Sequence, residues 1–174
     1  MLPTSVHNIY LVGPMGAGKT TIGRQLAELL HWEFLDSDHE IEARTGANIP
    51  WIFDIEGEDG FRQREEHVID VLTQRRHVVL ATGGGAVMRA SNRRHLHERG
   101  TVISLETTVE RSLERTAGDQ NRPLLQTADP RARLTELLHL RDPLYREVAH
   151  HIMPTERVSA REVAWHILQK LGAR

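Results

Sequence analysis

Gly13-Pro14-Met15-Gly16-Ala17-Gly18-Lys19-Thr20 is the stretch on which the fold turns. It fits G-x-x-x-x-G-K-[ST], and its setting suits that pattern. The apolar run Asn8–Val12 before it reads as a strand. After Thr20, the residues Ile22, Leu26, Leu29 and Leu30 recur at helical spacing. Small residues between a strand and a helix let backbone N–H groups curl around a polyphosphate, and the helix dipole favours its charge. Gly16, Ala17, Gly18, Lys19, Thr20 and Thr21 are therefore expected to hold the phosphates of a nucleotide. Lys19 is expected at the β- and γ-phosphates, with the Thr20 hydroxyl at Mg²⁺. A glycine-rich turn with no ligand is the alternative, and both spacing and context disfavour it.

Working outward, residues 32–35, 77–81, 101–105 and 150–153 read as further strands. Helical spacing marks residues 61–75, 91–99, 107–116 and 131–148. Three helix starts carry the capping-box pattern: Ser37 with Glu40, Thr107 with Glu110, and Ser159 with Glu162. Alternating strands and helices predict a three-layer α/β/α fold on a five-stranded parallel sheet. A single domain over residues 1–174 is expected, with two departures from the alternation. A purely helical insertion spans about residues 37–76, and a polar, aperiodic segment at about 117–130 has the composition of a mobile lid. Pro143 is expected to kink or restart the late helix.

Composition excludes several functions. The 174 residues carry 22 Lys+Arg against 24 Asp+Glu, a formal net charge of −2. That balance argues against a bulk nucleic-acid binder. Twenty of those cations are Arg, and the only lysines are Lys19 and Lys170. There is no cysteine, hence no disulfide, thiol nucleophile or cysteine zinc site. No apolar run approaches the roughly 18 residues of a membrane span. The apolar stretch at residues 9–18 lacks a preceding Lys or Arg, so the N-terminus reads as mature protein of cytoplasmic type. Eleven histidines include no H-E-x-x-H, and a metal reading of them is set aside.

Further candidates fall where strands end. Asp36-Ser37-Asp38 closes the second strand, at the sheet edge where open α/β folds bind ligands. The same residues also make an ordinary helix start, and both readings stand. Because Ala81-Thr82-Gly83 supplies no acid after the third strand, Asp36 and Asp38 become candidates to assist a metal or an acceptor. Gly83-Gly84-Gly85 is either a tight turn or a set of exposed N–H donors. Arg62 and Glu65 are an ordinary helix pair by spacing, and residues 62–67 otherwise read as a solvated face. Arg122 lies in the lid segment, where it could close on a transferring phosphate. Arg141 begins a late Arg141-Asp-Pro-Leu-Tyr145 run. Trp51 and Phe53, within the insertion, are candidates to line a pocket.

In order and spacing these pieces together resemble the shikimate kinase family over nearly the whole chain. The matching pieces are the GPMGAGKT loop, the DSD, FRxxE, the GGG turn, RPLL and the late RxPLY. The resemblance implies a P-loop kinase that moves the ATP γ-phosphate to the 3-hydroxyl of shikimate. It implies that Asp38, Arg62, Gly84 and Arg141 hold shikimate, with Gly83 and Gly85 beside them. It further implies Asp36 and Thr20 at the magnesium, Arg122 over the phosphates and Arg115 near the adenine. Lys19, Asp38 and Arg122 would carry the catalysis, in a monomer with no membrane or nucleic-acid partner. The competing readings are a P-loop kinase for another small metabolite such as gluconate, and a nucleotide switch with no acceptor.

Overall fold

The structure, a computed structural model, describes residues 1–173. Five parallel strands, β1 (Asn8–Val12), β2 (Glu33–Asp36), β3 (Val78–Ala81), β4 (Thr101–Glu106) and β5 (His151–Pro154), form one sheet in the order β2-β3-β1-β4-β5. The central strand β1 is in register with both neighbours, Leu11 facing Ala81 on β3 and Ile103 on β4. Seven helices connect and cover the strands: α1 (Lys19–Leu30), α2 (Ser37–Thr45), α3 (Ile49–Leu72), α4 (Ala90–Arg99), α5 (Val109–Thr116), α6 (Pro130–Val148) and α7 (Ala160–Lys170). Among the described residues, no helix is long and apolar enough to cross a membrane.

A parallel sheet covered on both faces needs strands that are apolar on both sides. In β1, Ile9 and Leu11 pack on one face with Ile22, Leu26 and Ile167 from α1 and α7. Tyr10 and Val12 point the other way, to Ile69, Leu96 and Tyr145 from α3, α4 and α6. The three expected layers are therefore present. The ladder order reverses direction at β1, so the phosphate loop, the end of β2 and the turn after β3 all meet at one crevice.

Several boundaries depart from the sequence reading. Asp36, not Ser37, caps α2, its Oδ1 accepting from the amides of Asp38 at 3.0 Å and His39 at 3.2 Å. Strand β2 runs straight into α2, which moves the cap one residue earlier. Thr108 rather than Thr107 caps α5, accepting from the Arg111 amide at 3.2 Å. Only Ser159 and Glu162 form the reciprocal box as expected. The insertion is helical, but α3 starts at Ile49 and breaks at Gly57, whose φ of 72° suits only a residue without Cβ. Pro143 does not divide α6. It lies on an exposed part of the helix, so the carbonyl deprived of its N–H partner faces the water side.

At the opposite end of the sheet, one side chain ties three chain segments together. The buried Asn8 amide donates to the Tyr10 hydroxyl at 2.9 Å and to the carbonyls of Arg75 at 2.8 Å and Arg99 at 3.2 Å. Its oxygen accepts the Val78 amide at 3.3 Å. These bonds lock the segments that enter β3 and β4 onto β1. Asn8→Ala leaves several buried polar groups unpaired and is expected to cost about 2–4 kcal/mol. Urea unfolding measures this, and a loss below about 0.5 kcal/mol, the range of an ordinary surface change, would show the lock to be dispensable.

Candidate active site

The phosphate loop wraps because its glycines adopt backbone angles closed to other residues. Gly16 and Gly18 have φ of 76° and 93°. A Cβ on Gly13 would sit 2.5 Å from the Leu105 carbonyl oxygen. Lys19 at the start of α1 folds back, donating to the carbonyls of Gly13 at 2.7 Å and Pro14 at 2.9 Å. Loss of water around the half-buried ammonium, reinforced by Arg122, pushes its pKa down to about 7. The Ala17 amide is bonded to Pro14 O at 3.2 Å, and Arg115 Nη1 donates to Gly16 O at 2.8 Å. Beside the loop opens a cleft of ≈ 880 Å³ whose walls include Thr20, Thr21, Asp36, Arg115 and Arg122.

The Thr20 hydroxyl donates to Asp36 Oδ2 at 3.0 Å, while the other Asp36 oxygen caps α2. The pair offers only oxygen, the donor that Mg²⁺ prefers, and the ion normally takes one or two protein carboxylates with substrate phosphates completing its shell. Across the cleft Arg122 is held by Asp119, Nε to Oδ2 at 3.2 Å.

A second group of charges lies beyond Asp38. Arg62 and Glu65 sit one turn apart on α3, and Nη1 meets Oε1 at 2.7 Å. Arg62 is 7% and Glu65 0% exposed, so Glu65 departs from the solvated face expected of residues 62–67, while Gln63, Arg64 and His67 are exposed as expected. The signal was present in the sequence: Phe61, Glu65, Val68, Ile69 and Leu72 form the apolar stripe of α3 with an acid on it. Arg141, buried on α6, completes the group. Burial raises the Asp38 pKa to about 7, with Glu65 and Asp36 adding to the effect. Burial raises Glu65 as well, against the pull of Arg62, and lowers Arg141. Asp38 Oδ1, Glu65 Oε2 and Arg141 Nε are buried without a hydrogen-bond partner among the described residues.

The triple glycine fits between these charges. A Cβ on Gly83 would lie 2.7 Å from Glu65 Oε2 and 2.8 Å from Asp38 Oδ1. One on Gly85 would overlap the Arg62 guanidinium, with Cζ only 2.5 Å away. The Gly83 amide is taken by the Ser37 hydroxyl, so it is not the donor to a ligand that the sequence suggested. The amides of Gly84 and Gly85 make no hydrogen bond among the described residues. Phe53 packs on Phe61 with ring centroids 4.9 Å apart and lines this pocket, whereas Trp51 is 60% exposed and does not. Glu65 and Asp119, the partners of Arg62 and Arg122, carry no sequence motif that marks them as site residues.

The raised acid sets a pH dependence of stability. In the unfolded chain Asp38 loses its proton near 3.8; in the folded, ligand-free chain it keeps it to about 7. The native state then binds more protons between those values, so stability falls as pH rises from about 4 to about 7. Asp38→Asn removes that loss. Thermal denaturation is expected to show a higher Tm for the variant at pH 8 and nearly equal values at pH 4. A lower Tm at pH 8 would contradict the charge crowding.

Known proteins place this arrangement. A family model described as shikimate kinase matches residues 15–172. The chain is 65% identical over 165 residues to the shikimate kinase of Acinetobacter baylyi, covering 95% of this chain and 92% of that protein. Among solved structures, the shikimate kinase from Acinetobacter baumannii in complex with shikimate is similar at a TM-score of 0.95 and 60% identity, over 96% of this chain and 93% of that one. The shikimate kinase from Aquifex aeolicus is similar at a TM-score of 0.80 and 34% identity, over 94% and 95%. Fold, phosphate loop, acidic pair and glycine turn thus coincide with a family match along almost the entire chain, and the chain belongs to the shikimate kinase family.

Proposed function

We propose a division of labour among these residues for the reaction of the family, transfer of the ATP γ-phosphate to the 3-hydroxyl of shikimate to give shikimate 3-phosphate and ADP. The observation that carries it is the open set of charges beside Lys19: Asp38, Arg62 and Arg141 around a glycine turn whose Gly84 and Gly85 amides face no protein partner.

Shikimate is a small carboxylate with three hydroxyls. Arg62 and Arg141 clamp the carboxylate, since planar forks match its two oxygens. Gly84 and Gly85 supply amides, and Gly83 the room. Asp38 orients the 3-hydroxyl and accepts its proton, and a carboxyl titrating near neutrality suits that task. Lys19 leaves the Gly13 and Pro14 carbonyls for the phosphates, whose charge restores its ammonium form. Gly16, Gly18, Thr20 and Thr21 line the polyphosphate, Ala17 sustains the loop from within, and Arg115 lies toward the adenine. Arg122 neutralises charge on the moving phosphoryl group, where positioning and charge dominate over base strength. Thr20 and Asp36 would hold Mg²⁺, which when bound would supply positive charge against that of the phosphates. Residues 1–174 act as one domain, with 37–76 as the substrate-binding insertion and 117–130 as a lid that excludes water on closing. The enzyme works as a cytoplasmic monomer.

A coupled ADP-release assay with shikimate, quinate and gluconate offered separately tests the reading. Shikimate is expected to stimulate ADP release, and no stimulation by it would refute the reading. Asp38→Asn is expected to lower turnover roughly a hundredfold or more with ADP affinity nearly intact. Arg62→Lys is expected to cut kcat/KM for shikimate far more than for ATP. Equal small effects on both substrates would remove Arg62 from the acceptor site.

A further inference from the structure

Three consecutive glycines make a turn with more conformational freedom than any other tripeptide. The site nevertheless needs the Gly84 and Gly85 amides in one place. The turn makes two short-range bonds, Ala86 N to Gly83 O at 3.1 Å and Met88 N to Gly85 O at 3.0 Å, which hold its exit. Its entrance and centre are held by hydroxyls from two other elements. Ser37, wholly buried at the start of α2, accepts the Gly83 amide at 3.0 Å. Tyr145, 2% exposed on α6, donates to the Gly84 carbonyl at 2.5 Å.

We propose that Ser37 and Tyr145 are positioning residues, two hydroxyl pins that fix the triple-glycine turn and so aim the Gly84 and Gly85 amides at the acceptor. Each pin is placed beside a residue of the proposed acceptor site. Ser37 adjoins Asp38 in sequence, and Tyr145 lies one helical turn from Arg141, whose Nη1 is 3.4 Å from where a Gly84 Cβ would stand. A single peptide plane carries the consequence, because the Gly84 carbonyl and the Gly85 amide belong to the same rigid unit. Fixing the oxygen with Tyr145 fixes the direction of the neighbouring N–H. Burial pushes the Tyr145 hydroxyl up to about 12, so it remains a donor throughout the working range. Ser37 is freed for this work because Asp36 caps α2.

The inference rests on the acceptor reading above, and the test separates the two. Tyr145→Phe and Ser37→Ala, each nearly isosteric, are compared with the parent enzyme in steady-state kinetics with shikimate and ATP varied in turn. ADP affinity and Tm are measured on the same samples. Each variant is expected to raise KM for shikimate roughly tenfold, the cost of one lost buried hydrogen bond, while KM for ATP and ADP affinity stay within about twofold, well inside that cost. The double variant is expected to lose more than either single one. An unchanged KM for shikimate in folded Tyr145→Phe would overturn the pins while leaving the shikimate reading intact. A rise shared equally by both substrates would reduce the two hydroxyls to structural roles and overturn the pins as well. A parent enzyme that does not phosphorylate shikimate would overturn the acceptor reading and the pins together.

Discussion

Charge crowded away from water at one edge of the sheet is the constraint on which the rest of the structure depends. Asp38, Glu65, Lys19 and Arg141 all have their charged forms disfavoured by burial. Arg62 and Glu65 satisfy each other only in part, since one oxygen of Glu65 has no hydrogen-bond partner. Such a site lowers stability, and the fold must offset it elsewhere. The offset comes from central strands that are apolar on both faces and from the Asn8 lock at the far end of the sheet, where polar groups are paired. In the proposed reading a carboxylate and a polyphosphate would complete this charge pattern, so the cost of crowding the charges would become affinity for the ligands.

Glycine serves two different ends here. In the phosphate loop Gly16 and Gly18 are required by positive φ. In the turn after β3 none of the three glycines has a positive φ, and they are required by space. A methyl group on Gly83 would collide with two carboxylates, and one on Gly85 with a guanidinium. The turn is therefore the floor on which the charges are packed, and it needs outside hydroxyls because it has so little stiffness of its own.

Much of this was legible in the sequence because local rules and global fold agree. The loop at residues 13–20 declared its own strand and helix, and the strand-helix alternation that follows dictated a parallel sheet. The insertion is helical as its sequence suggests, but the start of α3 is not legible there, because Gly57 and Gly60 interrupt a segment whose polar residues lie on both sides. The caps of α2 and α5 each lie one residue from the position the capping-box pattern marks, since adjacent hydroxyl and acid residues compete for the same amides. Spacing alone puts Glu65 at the surface, because a charged pair at i,i+3 is usually solvated; only the apolar residues flanking it on the helix face show that it is buried. The tie of Tyr145 to Gly84 spans 61 residues and leaves no local pattern.

The central claim is that buried arginines beside the glycine turn recognise a carboxylate, and that this recognition selects the acceptor. Shikimate and its methyl ester share the ring and all three hydroxyls, and the ester exchanges the carboxylate charge for one methyl group. Thermal shift and ADP release measured with each compound test the claim most directly. The account predicts that shikimate raises Tm and is phosphorylated, whereas the ester leaves Tm unchanged and loses roughly a hundredfold in kcat/KM, as expected when charged donors lose their partner. Equal stabilisation and equal turnover with the ester would contradict it.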